Sequence, residues 1–121
     1  MTVKQLLSAL VLATAALAST VPPYDFTGTW LGEAHSGKKH AAMDAALTST
    51  GPNTFTGTLA LEGFTRCQVR KGTLGKRVRL HLACTIGNGV LTAKLDEATN
   101  TMRGSLFLRG HLVIFSMTKS V

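Results

Sequence analysis

Few groups in this chain of 121 residues have the chemistry to act on a partner: two cysteines, four histidines, and thirteen lysines and arginines set against six aspartates and glutamates. Cys67 and Cys84 bracket the stretch CQVRKGTLGKRVRLHLAC. Neither belongs to a CxxC pair, which argues against a metal or redox thiol site and for one structural disulfide in an oxidising compartment. Arg66 immediately precedes this stretch and Arg70, Lys71, Lys76, Arg77 and Arg79 crowd it with no acidic residue between them, and His81 follows. Guanidinium and ammonium groups packed this way suit phosphate, sulfate or carboxylate partners. Glu33, His35 and His40 form a weaker group. They are expected on one outer face, Glu33 opposite His40, without the further ligand a stable metal site requires, so no metal or cofactor is expected. No nucleophile, base and orienting group fall into a catalytic set, and the chain is read as a non-enzyme.

A β-hairpin places these side chains. With Gly75-Lys76 as a two-residue turn, Leu74 faces Arg77, Lys71 faces Leu80, Val69 faces Leu82, and Cys67 meets Cys84 at a Cα separation of roughly 4.5 Å. Val69, Val78, Leu80 and Leu82 then share one face. Arg66, Arg70, Arg77, Arg79 and His81 share the other, together with Lys76 at the turn. The core side and the cationic side are separated by strand alternation alone.

The same period of two runs along the rest of the chain, with Gly, Asn, Asp or Pro at intervals and no long helical stripe. Strands are expected near 26–34, 39–48, 54–62, 66–74, 77–86, 90–96, 101–109 and 112–119. The hairpin joints predicted are Ser36-Gly37 (Trp30 opposite Met43), Thr50-Gly51-Pro52, Gly63-Phe64-Thr65 (Glu62 opposite Arg66), Asn88-Gly89 (Ile86 opposite Leu91), the segment Glu97 to Asn100 (Leu95 opposite Met102) and Gly110-His111 (Phe107 opposite Ile114). Every joint keeps one apolar face continuous. Eight antiparallel strands in sequential order leave two open edges unless they close, so the fold class is all-β, an eight-stranded antiparallel up-and-down barrel. Gly28, Gly57 and Gly104 fall on the inner face, where a closing sheet must coil. The segment from Asn53 to Gly63 repeats from Asn100 to Gly110 at an offset of 47 residues.

Residues 1–18, MTVKQLLSALVLATAALA, carry Lys4, an apolar run too short to span a bilayer, and a small-residue ending. They read as a signal peptide, which leaves residues 19–25 as an N-terminal arm and residues 26–121 as the barrel. The expected location is secreted or periplasmic.

Phe26-Thr27-Gly28-Thr29-Trp30 resembles the opening strand of the calycin group, the lipocalins and avidins. The resemblance implies Trp30 at the closed end of the barrel, with Lys119 as its cover. Avidins place an asparagine two residues after this tryptophan; here that residue is Gly32, so biotin binding is not implied. The chain is also similar to small exported barrels that inhibit secreted metalloproteases with an extended N-terminus, a role residues 19–25 would fill.

The predicted interior includes Trp30, Met43, Phe55, Leu59, Leu80, Leu82, Met102, Leu106 and Phe115, with no polar group deep inside. Function is therefore expected from an apolar cavity or from outer surfaces. The leading expectation is a binding barrel holding an apolar small molecule inside, or an anionic surface such as lipopolysaccharide, acidic polysaccharide or lipid on Arg66, Arg70, Lys76, Arg77, Arg79 and His81. Aromatics for base stacking are missing from that hairpin, which argues against specific nucleic-acid binding. The alternative is an inhibitor or secreted effector docking on a protein target through residues 19–25 or an outward patch of Leu31, Phe107, Leu112 and Ile114. The same patch would suit a homodimer.

Overall fold

The computed structural model describes residues 22–120; the signal-peptide expectation and residues 19–21 of the arm lie outside them. Eight strands follow one another: β1 (Gly28–Ser36), β2 (Lys39–Gly51), β3 (Thr54–Leu61), β4 (Thr65–Leu74), β5 (Val78–Cys84), β6 (Gly87–Asp96), β7 (Thr101–Leu108) and β8 (His111–Ser120). Each pairs antiparallel with the next, and β8 returns to β1, so the sheet closes into a barrel without a free edge. Alternation along each strand sends one set of side chains inward, where Trp30, Met43, Phe55, Leu59, Leu80, Leu82, Met102, Leu106 and Phe115 join a single buried cluster. Thr65 is the buried polar residue among those described, and its Oγ1 shares a 2.7 Å hydrogen bond with Oγ1 of Thr85.

Several registers differ from those expected, and all but one of the slips are even. The β1–β2 turn lies at Gly37-Lys38, so Trp30 faces Ala45 and His35, not Glu33, faces His40. Between β3 and β4, Leu61 meets Thr65 and Arg66 meets Ala60; the expected Glu62–Arg66 pair does not form. The β7–β8 turn is Arg109-Gly110, with φ of 51° and 78°, the left-handed pair that a two-residue hairpin turn requires. Phe107 consequently faces Leu112. An even slip leaves every side chain on its face, which is why the expected core survives these changes.

The largest correction concerns Asn88-Gly89. The β5–β6 turn is Thr85-Ile86, and Asn88 and Gly89 lie within β6, opposite Ala83 and Leu82. A turn at Asn88-Gly89 would set Leu80 against Glu97. The observed register sets it against Leu91 and Val78 against Ala93, all four fully buried. Packing overrides the local turn preference.

In the cysteine hairpin the slip is odd and is undone. Leu74 pairs with Val78, which makes Gly75-Lys76-Arg77 a three-residue loop in which the Gly75 amide donates to the Arg77 carbonyl at 3.0 Å. A bulge between Val69 and Lys71 absorbs the extra residue, restoring Val69 opposite Leu82 and Cys67 opposite Cys84. The disulfide forms between them, with Cα atoms 3.9 Å apart.

The end of the barrel below β1 is closed by Phe26 and by Tyr24 of the arm. Phe26 is fully buried and stacks on Phe55 at 3.9 Å, and Tyr24 packs edge-on against Phe26 at 4.9 Å. The Trp30 indole donates to the Phe26 carbonyl at 3.0 Å, fixing the tryptophan at this end. Lys119 opposes Trp30 across β1 and β8, but its ammonium donates to the Asp25 carbonyl at 2.7 Å and lies over the Tyr24 ring. The cover over Trp30 is therefore built by Tyr24 and Phe26, with Lys119 outside them.

Candidate anion-binding face

The outer wall of β4 and β5 is where the cations gather. Arg66, Arg70, Lys76, Arg77, Arg79 and His81 are all exposed, and Lys71 joins them because the bulge turns both Arg70 and Lys71 outward. Two adjacent cations between Val69 and Gly72 break the alternation; that break is the sequence signal for the bulge. Gly72 takes the inward position there, and a side chain on it would strike the Phe55 ring. The loop carries Lys76 and Arg77 at the arm end of the barrel.

The swath continues across neighbouring strands. Lys71 pairs with His81, Thr73 with Arg79, Arg79 with Thr92, and Lys94 with Arg103. Neither β4 nor β5 contains an acidic residue. Arg66 stands apart: it shares a row with Ala60 and Asp44, and with Asp44 it borders a shallow trough of about 620 Å³ floored by small side chains such as Ala60 and Thr58. The working face is thus Arg70, Lys71, Lys76, Arg77, Arg79, His81, Lys94 and Arg103, extending the expected set by Lys71, Lys94 and Arg103 and setting Arg66 to one side.

Of the expected apolar patch, three members are neighbours. Phe107 faces Leu112, Ile114 lies two residues further along β8, and Val90, which faces Phe107, completes a group of four exposed apolar side chains. Leu31 is elsewhere, facing Asp44 and Thr118.

At the opposite end from the arm, a recess of about 330 Å³ is lined by His35, His40, His111, Phe64 and an apolar floor including Ala34 and Leu61. The His35 and His40 rings are 5.7 Å apart. Glu33 faces Ala42, and among the described residues no three His, Cys, Asp or Glu side chains gather as metal ligands do. Gly32, the position of the avidin asparagine, admits no side chain at all, because a Cβ there would overlap the Ser116 carbonyl oxygen.

Tyr24 of the arm is held, not free: its hydroxyl donates to Oδ1 of Asn100 at 2.5 Å. Burial raises its phenol above the ordinary range, with smaller contributions from the Glu97 and Asp25 charges. The backbone amide of Thr27 donates to Asp25 and holds that carboxyl below its usual value.

Fold and face together define a small closed antiparallel barrel with an internal disulfide and a basic outer wall, an architecture consistent with the calycin type. No protein-family model matches the chain, and no curated protein matches it in sequence. No helix among the described residues is long and apolar enough to cross a membrane.

Proposed function

We propose that the chain is an exported, non-enzymatic binding barrel of calycin type that holds an anionic partner on the outer wall of β4 and β5. The observation that carries this reading is the bulge-assisted display of Arg70, Lys71, Arg79 and His81 on one wall, extended by Lys94 and Arg103, with no carboxylate on either hairpin strand. Like charges at this density repel one another in the free protein, and an anion lined along the wall relieves that repulsion. An apolar ligand inside the barrel is the weaker alternative. Phe26, Trp30, Phe55 and Met102 pack the arm end, Leu59, Leu80, Leu91 and Leu106 face inward beyond them, and all eight are at most 2 % exposed, while the recesses lie on the rim and the outer wall.

The test is binding of a soluble polyanion, heparin, to the full chain and to a variant carrying Arg70→Ser, Lys71→Ser, Arg79→Ser and Lys94→Ser. All four side chains are exposed, so the fold should persist. Loss of roughly ten-fold or more in affinity is expected for the variant. Equal affinity would remove the proposed face.

A further inference from the structure

We propose that the anionic partner is the surface of a lipid bilayer, and that Val90, Phe107, Leu112 and Ile114 enter its interfacial layer while the cations hold lipid phosphates. This inference rests on the reading of the basic wall as an anion-binding face.

The geometry comes from the barrel register. His81, Val90, Phe107 and Leu112 form one row across β5 to β8, each residue facing the next. Arg79, Thr92, Ser105 and Ile114 form the adjacent row, and Lys94 with Arg103 begins the row beyond. With strands about 4.8 Å apart and rows about 7 Å apart, the apolar group spans about 10 Å and adjoins the cations directly. Phe107 and Leu112 are 55 % and 54 % exposed, Ile114 42 % and Val90 40 %. Four such side chains on adjoining strand positions are more than the scatter of single apolar residues found on most surfaces.

Charge decides between the occupants of such a patch. No acidic residue occurs in β5, β7 or β8, and the one in β6, Asp96, lies at the far end from Val90. A second copy docked on this patch would bring a second Arg79, Lys94 and Arg103 to the interface, with no carboxylate in β5, β7 or β8 of either copy to pair with them. A bilayer containing anionic lipid answers both halves of the surface. Apolar side chains reach the acyl boundary, and Lys and Arg stems extend so that their charged ends meet phosphates. The faces are adjacent rather than opposed, so one docking orientation satisfies both.

Vesicle sedimentation with the full chain tests this. The probes are vesicles of phosphatidylcholine with phosphatidylglycerol and vesicles of phosphatidylcholine alone, with heparin retention as the reference for the basic wall. Binding to the anionic vesicles, little to the neutral ones, and a loss of ten-fold or more in Phe107→Ser/Leu112→Ser/Ile114→Ser with heparin retention unchanged are the results expected. Heparin retention without vesicle binding would overturn the bilayer inference and leave the basic wall standing. Vesicle binding equal in the variant and the native chain would overturn the entry of these side chains, as would a dimer that the variant dissolves while vesicle binding persists. Absence of both heparin and vesicle binding would remove the wall and the inference together.

Discussion

Cys67 faces Cys84 across β4 and β5 because a bulge before Lys71 cancels the third residue of the Gly75–Arg77 loop. The disulfide therefore clamps the hairpin that carries most of the cationic wall. It closes a loop of sequence separation 17, and constraint of the unfolded chain by such a loop is worth about 3 kcal/mol. Urea unfolding of the oxidised protein against Cys67→Ser/Cys84→Ser should show a stability difference of about that size. Coincident unfolding curves would mean that the bridge does not restrain the unfolded chain.

Phe26, the residue that follows the arm, should behave as part of the core. Phe26 is fully buried, stacks on Phe55 and provides the carbonyl that receives the Trp30 indole. Phe26→Ala should cost about 3 to 5 kcal/mol in thermal or urea unfolding, with a red-shifted Trp30 emission as water reaches the indole. An unchanged emission maximum would show that Phe26 does not seal this end.

Tyr24 gives the barrel a sensitivity to alkali. Burial raises its phenol above the ordinary value of 10.0, so the folded protein holds this proton more tightly than the unfolded chain does. The stability this contributes is complete below pH 10 and is lost as pH rises through the folded-state value; ionisation also removes the donor to Asn100. Tyr24→Phe should flatten the decline of stability above pH 10, measured by urea unfolding at stepped pH. A decline as steep as that of the native chain would assign the alkaline loss to other groups.

Gly57 and Gly104, like Gly32, mark places where the neighbouring strand approaches too closely for a side chain. A Cβ at Gly57 would overlap the Ala46 carbonyl oxygen, and one at Gly104 the Thr92 carbonyl oxygen; Gly57 also has a φ of 148°. Gly57→Ala should cost about 2 kcal/mol or more, whereas alanine at Gly63, which meets no atom within 4 Å, should cost only the backbone term of about 1 kcal/mol. Equal effects on the unfolding midpoint would show that the neighbouring strand yields.

These glycines also bear on how much of the molecule was readable beforehand. The repeat of Asn53–Gly63 at Asn100–Gly110 has a structural counterpart. Asn53 and Asn100 both take left-handed φ, 59° and 53°, and both carbonyls accept a backbone amide from the end of the strand after next, Leu74 of β4 and Lys119 of β8. Period-two alternation was enough to assign every strand and the inner face, because each depends only on residue parity, and the closed barrel followed from the strand count and the two edges it would otherwise leave. Parity is blind to even slips, so Trp30, Arg66, Phe107 and Ile86 each received the wrong opposite neighbour. The joint at Asn88-Gly89 was misplaced by more than the others: the β5–β6 register follows the Leu80–Leu91 pair instead. The cationic wall was readable from Arg66 to His81. The outward pair Lys94–Arg103 was legible with the Leu95–Met102 register, whereas the outward turn of Lys71 depends on the bulge and the replacement of Leu31 by Val90 in the apolar group on the observed registers.

The most direct measurement is retention of the full chain on an immobilised polyanion as salt is raised, since exposed cations lose their attraction as the Debye length shrinks from about 10 Å at 0.1 M to about 3 Å at 1 M. The basic wall should give retention that falls steeply over this range and elutes markedly earlier for Arg70→Ser/Lys71→Ser/Arg79→Ser/Lys94→Ser, with an unchanged melting temperature. Retention that is insensitive to salt, or the same elution for that variant and the native chain, would contradict it.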